Sequence, residues 1–135
     1  MNRRSASWLV VVCVGLGLIP GLAAGEEPKT DSLEVIKKNV QEKKAVILDV
    51  REQSEWDEGH LKGATLFSVT KIREGADPKT AAPDVAKPGM IVYCHCRAGK
   101  RAADAAELLR KKGYDARAIK EGYETLIKSG FEKAK

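Results

Sequence analysis

Cysteine is scarce, with three in 135 residues, at Cys13, Cys94 and Cys96. Cys13 lies in an apolar N-terminal stretch that reads as removable, which leaves two cysteines one residue apart; such a pair is no disulfide scaffold. There is no internal repeat and no low-complexity stretch, so the chain is neither an array nor a biased tail. A large excess of either charge is also missing. Removing Arg3 and Arg4 with the leader lowers the 24 cations to 22 against 19 acids, a net +3. That is too mild, and too evenly mixed, to argue for nucleic acid.

The first 25 residues contain no acid. Arg3 and Arg4 supply a positive start, Trp8 to Leu22 are almost wholly apolar, and Ala23-Ala24-Gly25 offers small residues for cleavage before Glu26. The apolar stretch falls short of the ~20 residues that span a bilayer comfortably. We read 1–25 as a signal peptide and the chain as exported, periplasmic or secreted, with no stable membrane association once the leader is cleaved. An uncleaved N-terminal anchor is the competing reading. The absence of a cysteine just after the small residues argues against lipoprotein processing. Residues 26–30 then form a polar linker and 31–135 one domain, long enough for a core.

Within that domain Asp31 or Ser32 can cap a helix whose apolar positions Leu33, Ile36 and Val40 share a face. Ala45 to Val50 is a continuous apolar run, as expected of a strand buried on both faces. Ala64 to Val69 reads as a weaker strand, and Ile72 to Ala86 as a helical turn plus loop. Pro88-Gly89 is a turn launching the strand Met90 to His95. A helix then runs from Arg101 to a stop at Gly113, followed by a strand over Asp115 to Ile119 and a last helix over Tyr123 to Lys128. Alternating strands and helices indicate an α/β domain with a mainly parallel sheet, whose ligand sits at the carboxyl ends of strands.

Cys96 falls at such an end. The run Cys96-Arg97-Ala98-Gly99-Lys100-Arg101 is a cysteine, a short loop with a glycine, and the first turn of a helix. A sulfur there meets unpaired amides and the positive end of a helix dipole, both of which favour thiolate over thiol, and three cations push the same way. The curled loop makes a nest for an anion, with Gly99 supplying positive φ. Lowering a generic thiol's pKa by two units raises its attack rate only about threefold, because nucleophilicity falls with basicity. The larger gains are in binding an anionic donor through Arg97, Ala98, Gly99, Lys100 and Arg101, and in leaving-group quality. Group transfer is therefore the better reading.

These residues resemble a known family. Cys96 to Arg101 is similar to the C-x-x-G-x-R loop of single-domain rhodanese-like sulfurtransferases, and Asp49-Val50-Arg51 to the D-V-R that closes their first core strand. Gly59-His60-Leu61-Lys62-Gly63-Ala64 resembles their G-H-I-x-G-A signature. Ile119 to Tyr123 stands where the family has a Leu-x-Gly-Gly run, with Tyr123 departing from the second glycine. Four motifs in register span the domain. The resemblance implies a three-layer fold with a mainly parallel five-stranded sheet and helices on both faces. It also implies a mechanism in which Cys96 takes sulfur from a small anionic donor such as thiosulfate as a persulfide. A thiol or cyanide acceptor, a protein thiol among the candidates, then removes it, with no metal and no other cofactor. His60 and Asp49 are structural on this reading, and Arg51 belongs to an ion pair.

Four rival readings stand beside it. His95-Cys96…Arg101 resembles the H-C-x5-R loop of cysteine phosphatases, but only four residues separate Cys96 from Arg101, a cradle better suited to one sulfur than to phosphate. A domain of the same fold could act as a sulfur carrier or regulatory binding module with little turnover. Cys94 reads as a small core residue, and against that as a partner thiol for Cys96. A metal site at Cys94-His95-Cys96 is weaker still, because alternating strand residues cannot all face one ion.

Overall fold

The computed structural model describes residues 29–135. The expected leader, 1–25, and most of the linker, 26–30, lie outside the described residues.

The first helix, α1 (Leu33–Gln41), starts at Ser32, whose hydroxyl accepts from the Val35 amide; of the two candidate caps the serine is used. The apolar runs become parallel strands, β1 (Ala45–Asp49) and β3 (Ile91–His95), paired in register from Ala45 opposite Ile91 to Asp49 opposite His95. Both are central and covered on two faces, which is why neither alternates with polar residues. Their side chains divide by parity. Leu48, Val92 and Cys94 join one core with Ala102, Ala105, Ala106 and Leu109 of α4 (Lys100–Lys111) and with Val69 and Ile72 of α3 (Val69–Arg73). Ala45, Ile47 and Tyr93 join the other with Ile36 of α1 and Leu126 of α5 (Tyr123–Lys128). The result is three layers, with helices on both faces of the sheet.

The sheet has four parallel strands among the described residues, in the order β2-β1-β3-β4, with β2 (Thr65–Leu66) and β4 (Asp115–Ala118) at the edges. The expectation of five is corrected here. Residues 29–32, before α1, add no strand; Asp31 there is engaged through its side chain by the Tyr93 hydroxyl and the Arg117 guanidinium. Leu61 adds only an isolated antiparallel bridge to Lys133. The second strand is also shorter than the apolar run suggested. Ser68 caps α3 by accepting from the Lys71 amide, which turns Val69 from a strand end into a helix start. Between Arg73 and β3 the chain forms two 3-10 turns, Pro78–Thr80 and Pro83–Ala86. Gly113 ends the helical region at φ 97°, and the Tyr114 amide closes on the Leu109 carbonyl.

Candidate sulfur-binding site

A short loop after β3 carries Cys96, one residue beyond the strand end, and returns directly into α4. The helix begins at a glycine with φ 100°, a conformation open to Gly99 at little cost. Gly99 has no side chain to cap the helix. The Cys96 sulfur takes that role: the amides of Gly99 and Ala102 donate to Sγ at 3.0 and 3.4 Å. Ala102 is the third residue of α4, so the sulfur sits on the positive end of a twelve-residue helix. Cys96 is 1% exposed.

The loop is held from the far side by residues 119–123. Their amides donate to the strand and loop, Ile119 to the Cys94 carbonyl at 2.8 Å and Tyr123 to the Cys96 carbonyl at 3.0 Å. Contact is close enough to exclude side chains. A Cβ on Gly122 would lie 1.8 Å from the Arg97 carbonyl oxygen, and one on Gly99 would lie 2.8 Å from the Lys120 carbonyl oxygen. The motif around Gly122 therefore shapes the loop by what it omits. Tyr123 contributes more than a departure from a pattern, since its ring lies beneath the Arg51 guanidinium at 4.3 Å.

The loop residues separate by role. Arg97, Ala98 and Lys100 are exposed around the mouth, and Gly99 is partly covered. Arg101 is turned aside: it forms a bidentate pair with Glu55 of α2 (Gln53–Glu58) at 2.7 and 2.8 Å. That bond, with the Glu52 backbone, holds the Glu55 carboxyl down to about 2. Glu55 was not singled out by sequence; its partner lies 46 residues away, and only the capping box with Glu52 at the start of α2 was there to be read.

Under the loop lies a buried polar layer. Asp49 accepts from the Arg51 amide and guanidinium, the closest contact being 2.7 Å, and Arg51 also donates to the Gly59 carbonyl at 2.8 Å. Burial opposes the Arg51 cation, but the Asp49 bonds outweigh it and the pKa is raised. The His95 ring is fully buried, with both nitrogens unbonded among the described residues and Nε2 standing 3.6 Å from Asp49 Oδ2. Burial lowers its pKa, so it is neutral at pH 7. His60 stacks on Trp56 with centroids 3.6 Å apart and meets its carbonyl through Nδ1. Burial pushes the Cys94 thiol up to about 12, which leaves it protonated inside the core. Among the described residues neither Cys94 nor Cys96 is in a disulfide. Among the described residues no group of three His, Cys, Asp or Glu side chains is placed to hold a metal ion.

Beside the loop lies a cavity of about 150 Å³ whose lining includes Arg97, Tyr123, Gly59 and Lys133. Lys133 is held there by the tail: the Ala134 amide donates to the His60 carbonyl at 2.9 Å and the Lys62 amide to the Glu132 carbonyl at 2.9 Å. No sequence signal marked Lys133, because its place depends on that long-range pairing.

A parallel α/β sheet with a cysteine cradled by amides at the strand ends defines the rhodanese-like class. The chain belongs to this family: the Rhodanese-like domain model matches residues 32–129. Sulfurtransferase-type chemistry is the reading of that membership at family level. Among solved structures the chain resembles human single-domain sulfurtransferase TSTD1 in fold, at 24% identity and TM-score 0.62, over 76% of this chain and 96% of that one. It also resembles protein hp1203 of Helicobacter pylori, at 35% identity and TM-score 0.56, over 68% of this chain and 79% of that one. Among curated proteins it is 33% identical over 92 residues to the tRNA uridine(34) hydroxylase of Chlamydia trachomatis, covering 66% of this chain and 28% of that protein. The match therefore spans less than a third of that relative's length.

Proposed function

We propose that the protein is a sulfurtransferase that carries a sulfur atom on Cys96. The observation that carries this reading is the pair of amides, from Gly99 and Ala102, that converge on Sγ at the head of α4. Hydrogen bonds to a sulfur anion favour it and improve it as a leaving group. The donor is a small sulfur-containing anion such as thiosulfate, drawn by the exposed cations Arg97 and Lys100. Cys96 thiolate attacks the outer sulfur, a new S–S bond forms, the donor's S–S bond breaks, and sulfite leaves with the electron pair. Ala98 and Gly99 shape the backbone around the persulfide, while Arg101 acts through Glu55 to fix the helix start. Cyanide or a thiol, protein-borne or small, then removes the outer sulfur. We place this chemistry outside the cytoplasm, in the periplasm or secreted, on the strength of the leader-like composition of 1–25.

Intact-mass spectrometry after thiosulfate treatment tests the reading. We expect a gain of one sulfur atom that disappears in Cys96→Ser and is discharged by cyanide. A gain that persists in Cys96→Ser overturns the assignment. A loaded protein that neither cyanide nor thiols discharge identifies a carrier or regulatory domain of the same fold instead.

A further inference from the structure

The cavity beside the cysteine loop holds charges that the fold does not use. Of the charged groups lining it, Arg51 is paired with Asp49 and Glu55 with Arg101. Two cations, Arg97 and Lys133, and two acids, Glu58 and Glu124, make no ion pair among the described residues. Tyr123, 8% exposed, also lines this space, and its buried hydroxyl beside Gly59 has no hydrogen-bond partner among the described residues.

A buried hydroxyl left unbonded is costly, and native structures supply a partner. The arrangement around Gly59 indicates which one. The position of a Cβ on Gly59 would lie 2.8 Å from the Tyr123 hydroxyl and 3.1 Å from Lys133 Nζ, so the two donors converge over one glycine. A neutral hydroxyl beside an ammonium is a donor pair for a carboxylate. Burial raises the Tyr123 pKa, which keeps the hydroxyl protonated. Glu58 and Glu124 supply the opposite charge on the same walls.

Resting on the sulfur-transfer reading, we propose that this cavity binds the acceptor, and that the acceptor is a zwitterionic thiol of amino-acid size. Its carboxylate sits on Lys133 and Tyr123 and its ammonium faces Glu58 and Glu124. The volume of about 150 Å³ is half the ~300 Å³ at which pockets for drug-sized ligands begin, which suits a ligand of amino-acid size. In the transfer the acceptor thiolate attacks the outer sulfur of the Cys96 persulfide. The S–S bond to Sγ breaks, its electron pair returns to Cys96 as thiolate, and the acceptor leaves as a persulfide.

Protein loaded with thiosulfate and freed of excess donor is mixed with four thiols: cysteine, N-acetylcysteine (carboxylate only), cysteamine (ammonium only) and 2-mercaptoethanol (neither). Discharge is followed against thiolate concentration. We expect cysteine to half-saturate at about one-tenth the concentration of N-acetylcysteine or cysteamine and about one-hundredth that of 2-mercaptoethanol, roughly tenfold for each charge-assisted contact. Lys133→Gln and Tyr123→Phe, the second of which keeps the ring under Arg51, should each collapse that preference. Equal saturation by all four thiols overturns the proposal, as does a singly charged thiol that saturates as low as cysteine, or a preference that survives both substitutions. If Cys96 never takes up sulfur, the transfer reading falls as well; if it loads and the four thiols act alike, only the acceptor assignment falls.

Discussion

Cys94 and Cys96 differ by two positions and contribute to the same core, yet their surroundings differ in kind. Cys96 Sγ accepts from two amides, whereas Cys94 lies inside β3 where burial is the largest influence on its thiol. A thiol held near 12 has almost no thiolate at neutral pH and is a poor resolving group. Cys94→Ser is therefore expected to keep most thiosulfate:cyanide activity, within about threefold, while lowering stability by ~1–3 kcal/mol for the buried hydroxyl. Steady-state rates together with a denaturant titration check both parts. Near-total loss of turnover in a folded Cys94→Ser protein would give Cys94 a chemical part.

At the scale of elements, the cradle is made by two loops that the chain brings together from different places. The cysteine loop supplies the sulfur and the amides, and residues 119–123 supply a surface flat enough to press it into shape. Adding one methyl group at Gly122 forces that surface away from Arg97, since a 1.8 Å approach to a carbonyl oxygen has no tolerated geometry. Gly122→Ala is expected to cost ~1–3 kcal/mol and to reduce sulfur loading at least tenfold. Loading measured by intact mass, beside a thermal melt, separates the local effect from unfolding. The elements themselves were legible to different degrees. β1 and β3 announced themselves as unbroken apolar runs because both faces are covered. The end of β2 did not, since Phe67, Ser68 and Val69 are all buried and an apolar run does not reveal whether Ser68 caps a helix. The fifth strand came with the family resemblance and not from any run in the chain.

For the molecule as a whole, the Glu55–Arg101 pair ties the region after β1 to the first turn of α4, across the top of the sheet. Glu55 titrates at about 2 in the folded protein, below its ordinary 4.5. A carboxyl depressed in this way stabilises the fold above the unfolded value, and that contribution is lost as pH falls through the folded one. Thermal midpoints of wild type and Glu55→Gln should therefore differ most above pH 4.5 and converge toward pH 2, with wild type the more stable; a constant offset across that range would mean the pair contributes nothing through charge. The site was legible in its centre and not at its rim. Cys96 and Gly99 could be placed from a strand, a loop and a helix start that are contiguous in sequence. Glu55 and Lys133 reach the site through pairings 46 and more residues long, which local pattern cannot foresee. Arg101, expected among the substrate contacts, is engaged by Glu55 for the same reason.

The bare backbone at position 122 also gives a way to sort kindred sequences before any assay. Where a relative aligned on this chain bears anything larger than hydrogen there, its anion nest must be built to another plan, and shared ancestry alone would be poor grounds for assigning it the same reaction.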